Sequence, residues 1–200
     1  GAEAICCVPP FFYRPTDEGV VQHYKAVGEA SDLPLFVYNL PQATGTEITP
    51  ELMLKIQDRV PQLKGLKHSA LTFGNIRTFA DMGLDCFVGN CQLMLPALTI
   101  GACGMIDGPP NAVPEPWIDV WNAYQNGDWE AAKSSQALAT KIATVIRGGG
   151  GMHANIKALL SHRLNVECGS PRLPGLPLDN DQKEQLISDA NSLGFGVLPS

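Results

Sequence analysis

Three stretches decide the fold: Pro34-Leu35-Phe36-Val37-Tyr38-Asn39-Leu40, then Thr49-Pro50-Glu51 running on to Val60, then Leu63-Lys64-Gly65-Leu66-Lys67-His68. The first and last are short apolar runs rich in Leu, Val and Phe and bounded by Pro or polar turn residues, which predicts strands. The middle stretch opens with a hydroxyl cap, a proline at the first helical position and an acid in the first turn, and Leu52, Ile56 and Val60 then recur at helical spacing. The unit is strand–helix–strand. Working outward, further strands are expected at Ala4–Val8, Asp85–Gly89 and Cys103–Ile106. Between them, Thr16 can cap a helix bearing Asp17 and Glu18 in its first turn and Val20, Val21, Tyr24 and Val27 on its apolar side. Asn75–Met82 and Gln92–Ile100 supply the next two helices. None of the five strands alternates cleanly between polar and apolar residues, the pattern of strands buried on both faces. Strand–helix repetition predicts a parallel α/β fold.

After the fifth strand the pattern changes. Helices are expected at Pro116–Asn126, Trp129–Ile146, Met152–Leu164 and Asp181–Leu193, and no strand candidate returns. Residues 1–127 therefore read as the strand-bearing part and residues 128–200 as a helical region packed on it, with no Gly/Ser-rich linker between them. Trp117, Trp121 and Tyr124 recur at helical spacing and read as a packing stripe. Gly148-Gly149-Gly150-Gly151 could expose backbone N–H groups to an anion, but no strand precedes it and no lysine follows in phosphate-loop spacing. An inter-helix turn is expected there.

Composition excludes several classes. The chain has 200 residues, 44% hydrophobic and 17% charged, with a formal net charge of −6. That is ordinary for a soluble globular domain. No basic run could track a phosphate backbone, which argues against nucleic acid as a partner. The apolar runs are too short to span a bilayer, and Gly1-Ala2-Glu3-Ala4 lacks the basic and apolar regions of a signal peptide. A cytoplasmic location is expected. The six cysteines form no C-x-x-C pair, so they read as small buried residues in a reducing compartment and not as a metal site.

Two side chains stand where chemistry would sit. On an extended strand Leu63, Gly65 and Lys67 share one face, and Lys67 comes at the C-terminal end. In a βα barrel the active site lies at that end of the strands. A same-face glycine leaves room, and desolvation favours the neutral amine that imine formation needs. A snorkelling surface lysine is the structural alternative, and Lys64 faces the other way. Tyr38 likewise falls near the end of its strand, before Pro41, where a phenol can relay a proton; a barrel-core tyrosine with its hydroxyl satisfied is the alternative.

Together these pieces resemble the dihydrodipicolinate synthase/N-acetylneuraminate lyase family. Val8-Pro9-Pro10-Phe11-Phe12-Tyr13-Arg14-Pro15-Thr16 resembles its loop after barrel strand four; Tyr38-Asn39-Leu40-Pro41 with Thr44-Gly45 resembles its tyrosine motif; Gly65-Leu66-Lys67 resembles its Schiff-base motif. Gly101-Ala102-Cys103-Gly104, Asn111 and Arg172-Leu173-Pro174 are further matches. The resemblance implies a TIM (β/α)8 barrel, here strands four to eight, followed by C-terminal helices, and a homotetramer. It implies a pyruvate-dependent class I aldolase or lyase in which Lys67 forms an iminium with a 2-keto acid and Tyr38 shuttles a proton. The iminium itself withdraws electrons, so neither metal nor cofactor is implied. Substrate contacts would fall to Phe12, Thr44, Ser69, Gly89 and Ile106.

The chain departs from the family's prototypes. The synthases carry a second tyrosine where Phe12 stands and an arginine where Ala43 stands. The sialic acid lyases carry an Asp-Glu pair in the loop where this chain has Gly89-Asn90-Cys91-Gln92, and a serine where it has Gly108. Another 2-keto acid aldolase or a hydratase-aldolase is therefore expected, with dihydrodipicolinate synthase as the alternative. The family's Gly-Ser/Thr-Thr-Gly-Glu loop, which binds the pyruvyl carboxylate, is not found, and a full barrel runs to ~250 residues. A partial chain lacking the first three strands is expected; a catalytically incomplete fragment acting as a binding or scaffold subunit is the rival reading.

Overall fold

The structure, a computed structural model, describes residues 1–197; residues 198–200, the end of the expected helical region, lie outside the described residues. The chain forms two compact units, Gly1–Asn90 with Pro96–Ile106, and Cys91–Leu95 with the chain from Asp107 onward. The first unit holds β1 (Ile5–Cys7), α1 (Asp17–Glu29), β2 (Leu35–Asn39), α2 (Pro41–Thr44), α3 (Pro50–Arg59), β3 (Leu63–His68), α4 (Asn75–Asp81), β4 (Asp85–Val88) and β5 (Gly104–Met105). The five strands pair in chain order, and every pair is parallel. The expected strand–helix repetition and parallel sheet are present.

The caps work as the residues predict. Thr16 accepts a hydrogen bond from the Gly19 N–H (3.2 Å) and Thr49 one from the Leu52 N–H (3.3 Å), satisfying donors that a helix start leaves free. One element was not expected. Pro41 follows the end of the strand and also opens the single turn α2, where its missing N–H costs nothing, and Gly45 closes that turn at φ 71°.

Burial corrects the sequence reading of the sheet. Along β2 and β4 fully and partly buried residues alternate strictly. Leu35, Val37, Leu66, Cys86 and Val88 are buried against Val20, Val21, Tyr24, Leu52, Met53, Ile56, Ile76 and Phe79 from the helices. Burying each such large side chain contributes on the order of 1.5–3 kcal/mol. The opposite face, with Phe36, Tyr38, Lys67 and Phe87, stays partly open, and Cys6 and Ile106 are exposed there. Because Phe36 and Phe87 are also apolar, the sequence masks the alternation.

A register shift between Leu35 and Phe36 corrects a second reading. Leu35 pairs with Leu63, but Phe36 pairs with Gly65, so Lys64 is the extra residue. Leu63 therefore packs on the helix-side core and does not share a face with Gly65 and Lys67. A one-residue slip exchanges the faces of everything beyond it, and this shift sets Tyr38 opposite Lys67.

Helix α5 (Met94–Thr99) comes between β4 and β5 in the chain, and the second unit holds α6 (Glu115–Gln125), α7 (Trp129–Arg147), α8 (Met152–Leu164) and α9 (Asn180–Ser192). Asp179 and Gln182 form a capping box on α9. The tetraglycine segment is an inter-helix turn: the buried Asn155 amide donates to the carbonyls of Ile146 (2.9 Å), Gly148 (3.3 Å) and Gly149 (3.1 Å). Trp117 is buried and its indole N–H donates to the Cys91 carbonyl (2.9 Å). Asp107 accepts from the Cys91 N–H (2.8 Å) and pairs with Arg147, fixing the 91–95 segment within this unit.

Candidate active site

Tyr38 and Lys67 are each the penultimate residue of their strand, and β2 and β3 run parallel as neighbours, so both side chains stand at the C-terminal end of the sheet. Register pairing puts them on one face, and Lys67 Nζ lies 4.0 Å from the centroid of the Tyr38 ring. That is within cation–π reach. Lys67 also lines a cavity of about 320 Å³ with Cys6, Phe36, Phe87 and Ile106. Phe36 and Phe87 meet edge to face at 5.8 Å. The amine thus emerges from an apolar floor. Gly65 makes the arrangement possible: a Cβ there would lie 2.0 Å from the Asp85 carbonyl oxygen.

The other expected contact residues fall into three places. Ile106 lies on the cavity wall and is 43% exposed. Ser69 and Gly89 meet just beyond the strand ends; a Cβ on Gly89 would lie 1.7 Å from Ser69 Oγ, which is buried without a hydrogen-bond partner. A buried hydroxyl left unpaired is costly. Thr44 is buried at the end of α2, where its hydroxyl donates to the carbonyl of Leu40 (3.0 Å) or Thr46 (3.1 Å) and accepts from the Thr46 N–H (3.3 Å), shaping the loop that follows. Phe12 stands apart at 88% exposure on the loop after β1, with φ 78°, a conformation that a non-glycine residue adopts at a cost.

Two further residues escaped the sequence reading. Asn39 and His68, each the next residue after Tyr38 and Lys67, pair with one another in register and are fully buried on the helix side. The Asn39 amide donates to the Ile48 carbonyl (2.9 Å) and to His68 Nδ1 (3.3 Å), and its oxygen accepts from the Ile48 N–H (3.0 Å). His68 Nε2–H donates to the Thr72 carbonyl (3.1 Å). Burial holds the imidazole below its usual titration range, against the opposing influence of the Thr72 bond and of Glu47. A polar residue inside an apolar strand, immediately beside a candidate, is the signal that could have flagged both.

The cysteine expectation needs correction. Cys86 and Cys91 are buried, but Cys6 and Cys103 are exposed and Cys7 and Cys168 intermediate; all six are free. Sulfur's tolerance of either setting explains why composition could not sort them. Burial pushes the Cys86 thiol up to about 12 and Cys103 up to about 11, so neither is a ready nucleophile. Among the described residues no three His, Cys, Asp or Glu side chains are grouped to hold a metal, and no helix is long and apolar enough to cross a membrane.

Residues 1–193 match the family described as the dihydrodipicolinate synthetase family. A 4-hydroxy-tetrahydrodipicolinate synthase of Bifidobacterium animalis subsp. lactis is 33% identical over 94% of this chain and 62% of its own length. An uncharacterized DapA-like lyase of Halobacterium salinarum is 30% identical over 98% of the chain and 64% of its length. Among solved structures, a sialic acid aldolase of Ruminococcus gnavus, as its catalytic lysine mutant, superposes with TM-score 0.90 at 25% identity, covering 97% of this chain and 65% of that one. A putative dihydrodipicolinate synthetase of Pseudomonas aeruginosa gives TM-score 0.85 at 29% identity, covering 96% and 67%. The chain therefore spans a little under two thirds of the length of these curated relatives.

Proposed function

Because this chain belongs to the dihydrodipicolinate synthetase family, we propose that it carries the lysine and tyrosine of a pyruvate-dependent class I aldolase or lyase, its five strands corresponding to strands four to eight of a TIM barrel. The observation that carries the reading is the convergence of Lys67 Nζ and the Tyr38 ring, 4.0 Å apart, at the C-terminal ends of adjacent parallel strands. In this mechanism the neutral Lys67 amine attacks the ketone carbon of a 2-keto acid, and water leaves to give an iminium. Loss of a C3 proton gives the enamine, which attacks an aldehyde carbon; in the cleavage direction the enamine departs as the aldehyde is released. In this reading Tyr38 passes the proton to and from the alkoxide that forms or breaks.

Substrate preference follows from two side chains. Phe12 offers no hydroxyl, and Ala43, exposed beside Thr44, offers no charge. Both favour a 2-keto acid aldol over condensation of pyruvate with an amino-acid semialdehyde. The synthase names of the curated relatives support the alternative, a 4-hydroxy-tetrahydrodipicolinate synthase. Borohydride reduction with pyruvate, followed by peptide mapping, tests the common core: the peptide holding Lys67 should carry the adduct. Comparing kcat/KM for aldol cleavage and for semialdehyde condensation separates the two substrates, and a clear synthase preference rejects the first reading. The site as read asks for no metal or cofactor, and the family resemblance carries with it a homotetramer and a cytoplasmic enzyme.

A further inference from the structure

We propose that Asn39 and His68 are positioning residues: their buried bridge behind the sheet fixes the heights of Tyr38 and Lys67 in front of it. For its catalytic consequence the proposal rests on the aldolase reading, but its physical content is the placement of the lysine and stands for any role the amine has. The argument starts from the pleat. Tyr38 and Lys67 face the cavity, so the residues after them, Asn39 and His68, project to the helix side. There the Asn39 amide uses both its oxygen and its nitrogen on the Ile48 backbone, clamping the loop that follows α2. His68 Nε2–H holds the Thr72 carbonyl and so clamps the loop that carries Ser69. The remaining Asn39 N–H and the His68 Nδ1 lone pair then close the bridge between the strands at 3.3 Å.

With Nε2 donating to a carbonyl, only the neutral tautomer with a bare Nδ1 completes this network. Asn39 and His68 are 0% and 2% exposed. An apolar pair could fill the same volume without the cost of burying polar groups, so the polar pair serves geometry more than packing. It sits at the last rung of the ladder, where the Ser69 N–H still donates to the Asn39 carbonyl (2.8 Å) but the strands are about to part. Protonating Nδ1 would set donor against donor and open the bridge. Around the ring stand Asn39 from β2, Phe79 from α4 at 5.5 Å, Thr72, and Glu47, whose carboxylate accepts from Thr72 Oγ1 (2.7 Å) and carries the charge among them.

Because Lys67 lies over the Tyr38 ring, its terminal methylene protons should show an upfield ring-current shift in proton NMR, which reads the placement directly. In the 200-residue chain we expect His68→Leu to lose most of that shift. His68→Asn, which keeps an acceptor near Nδ1, should retain it. In the unsubstituted protein the shift should collapse as acid titrates the imidazole, followed by nitrogen NMR of the same sample. This arm decides alone if His68→Leu does not fold. An unchanged methylene shift through the imidazole titration, or equal loss in the Leu and Asn variants, overturns the proposal. Pyruvate trapping is scored separately: its failure removes the aldolase reading and leaves the placement result standing.

Discussion

Lys67 and Tyr38 divide the proposed chemistry in a way that substitution separates. Lys67→Arg keeps the charge but cannot form the imine. It should abolish borohydride trapping with pyruvate while far-UV circular dichroism stays unchanged; labelling that persists at another lysine would reassign the nucleophile. Tyr38→Phe keeps the ring beside Nζ and removes only the proton carrier. Trapping should survive, while turnover falls by roughly 10²–10⁴-fold, the usual share of general acid–base catalysis. Gly65 makes a different point. A methyl group at 2.0 Å from the Asp85 carbonyl oxygen can be accommodated only by moving β3 from β4. Gly65→Ala should cost about 1–3 kcal/mol or more, as overpacking does, read as a fall in urea midpoint with an unchanged slope.

At the scale of elements, β2 and β3 are tied twice, by their ladder and by the Asn39–His68 bridge. The bridge gives stability a defined pH dependence. Burial lowers the titration of His68 in the fold, whereas the unfolded chain takes up the same proton near the reference value of ~6.5. The contribution of the buried neutral ring is therefore full above ~6.5 and is lost as pH falls toward the folded-state value, because the unfolded state then binds more protons. Tm measured against pH should show the unsubstituted protein losing stability on the acid side more steeply than His68→Gln, which carries no such proton. Parallel curves would contradict this.

At the scale of the molecule, β1 and β5 each pair on one side only within the described sheet, and the face bearing Phe36 and Phe87 is only half covered. Unpaired strand edges and open apolar surface both invite association. The 200-residue chain is expected to sediment as oligomers whose size grows with concentration; a monodisperse monomer would count against it. What the sequence by itself determined were the local facts. Thr16 and Thr49 announced their helices, five apolar runs announced their strands, and Tyr38 and Lys67 stood near the ends of two of them. Each of these depends on residues within a few positions of one another, and periodicity and capping report such things directly. The register shift that sets Tyr38 opposite Lys67, the one-sided burial of the sheet and the pairing of Asn39 with His68 were decided only by the tertiary structure. They join residues far apart in the chain, and which of them meet depends on how strands align and which face the helices cover, a choice that no local pattern records.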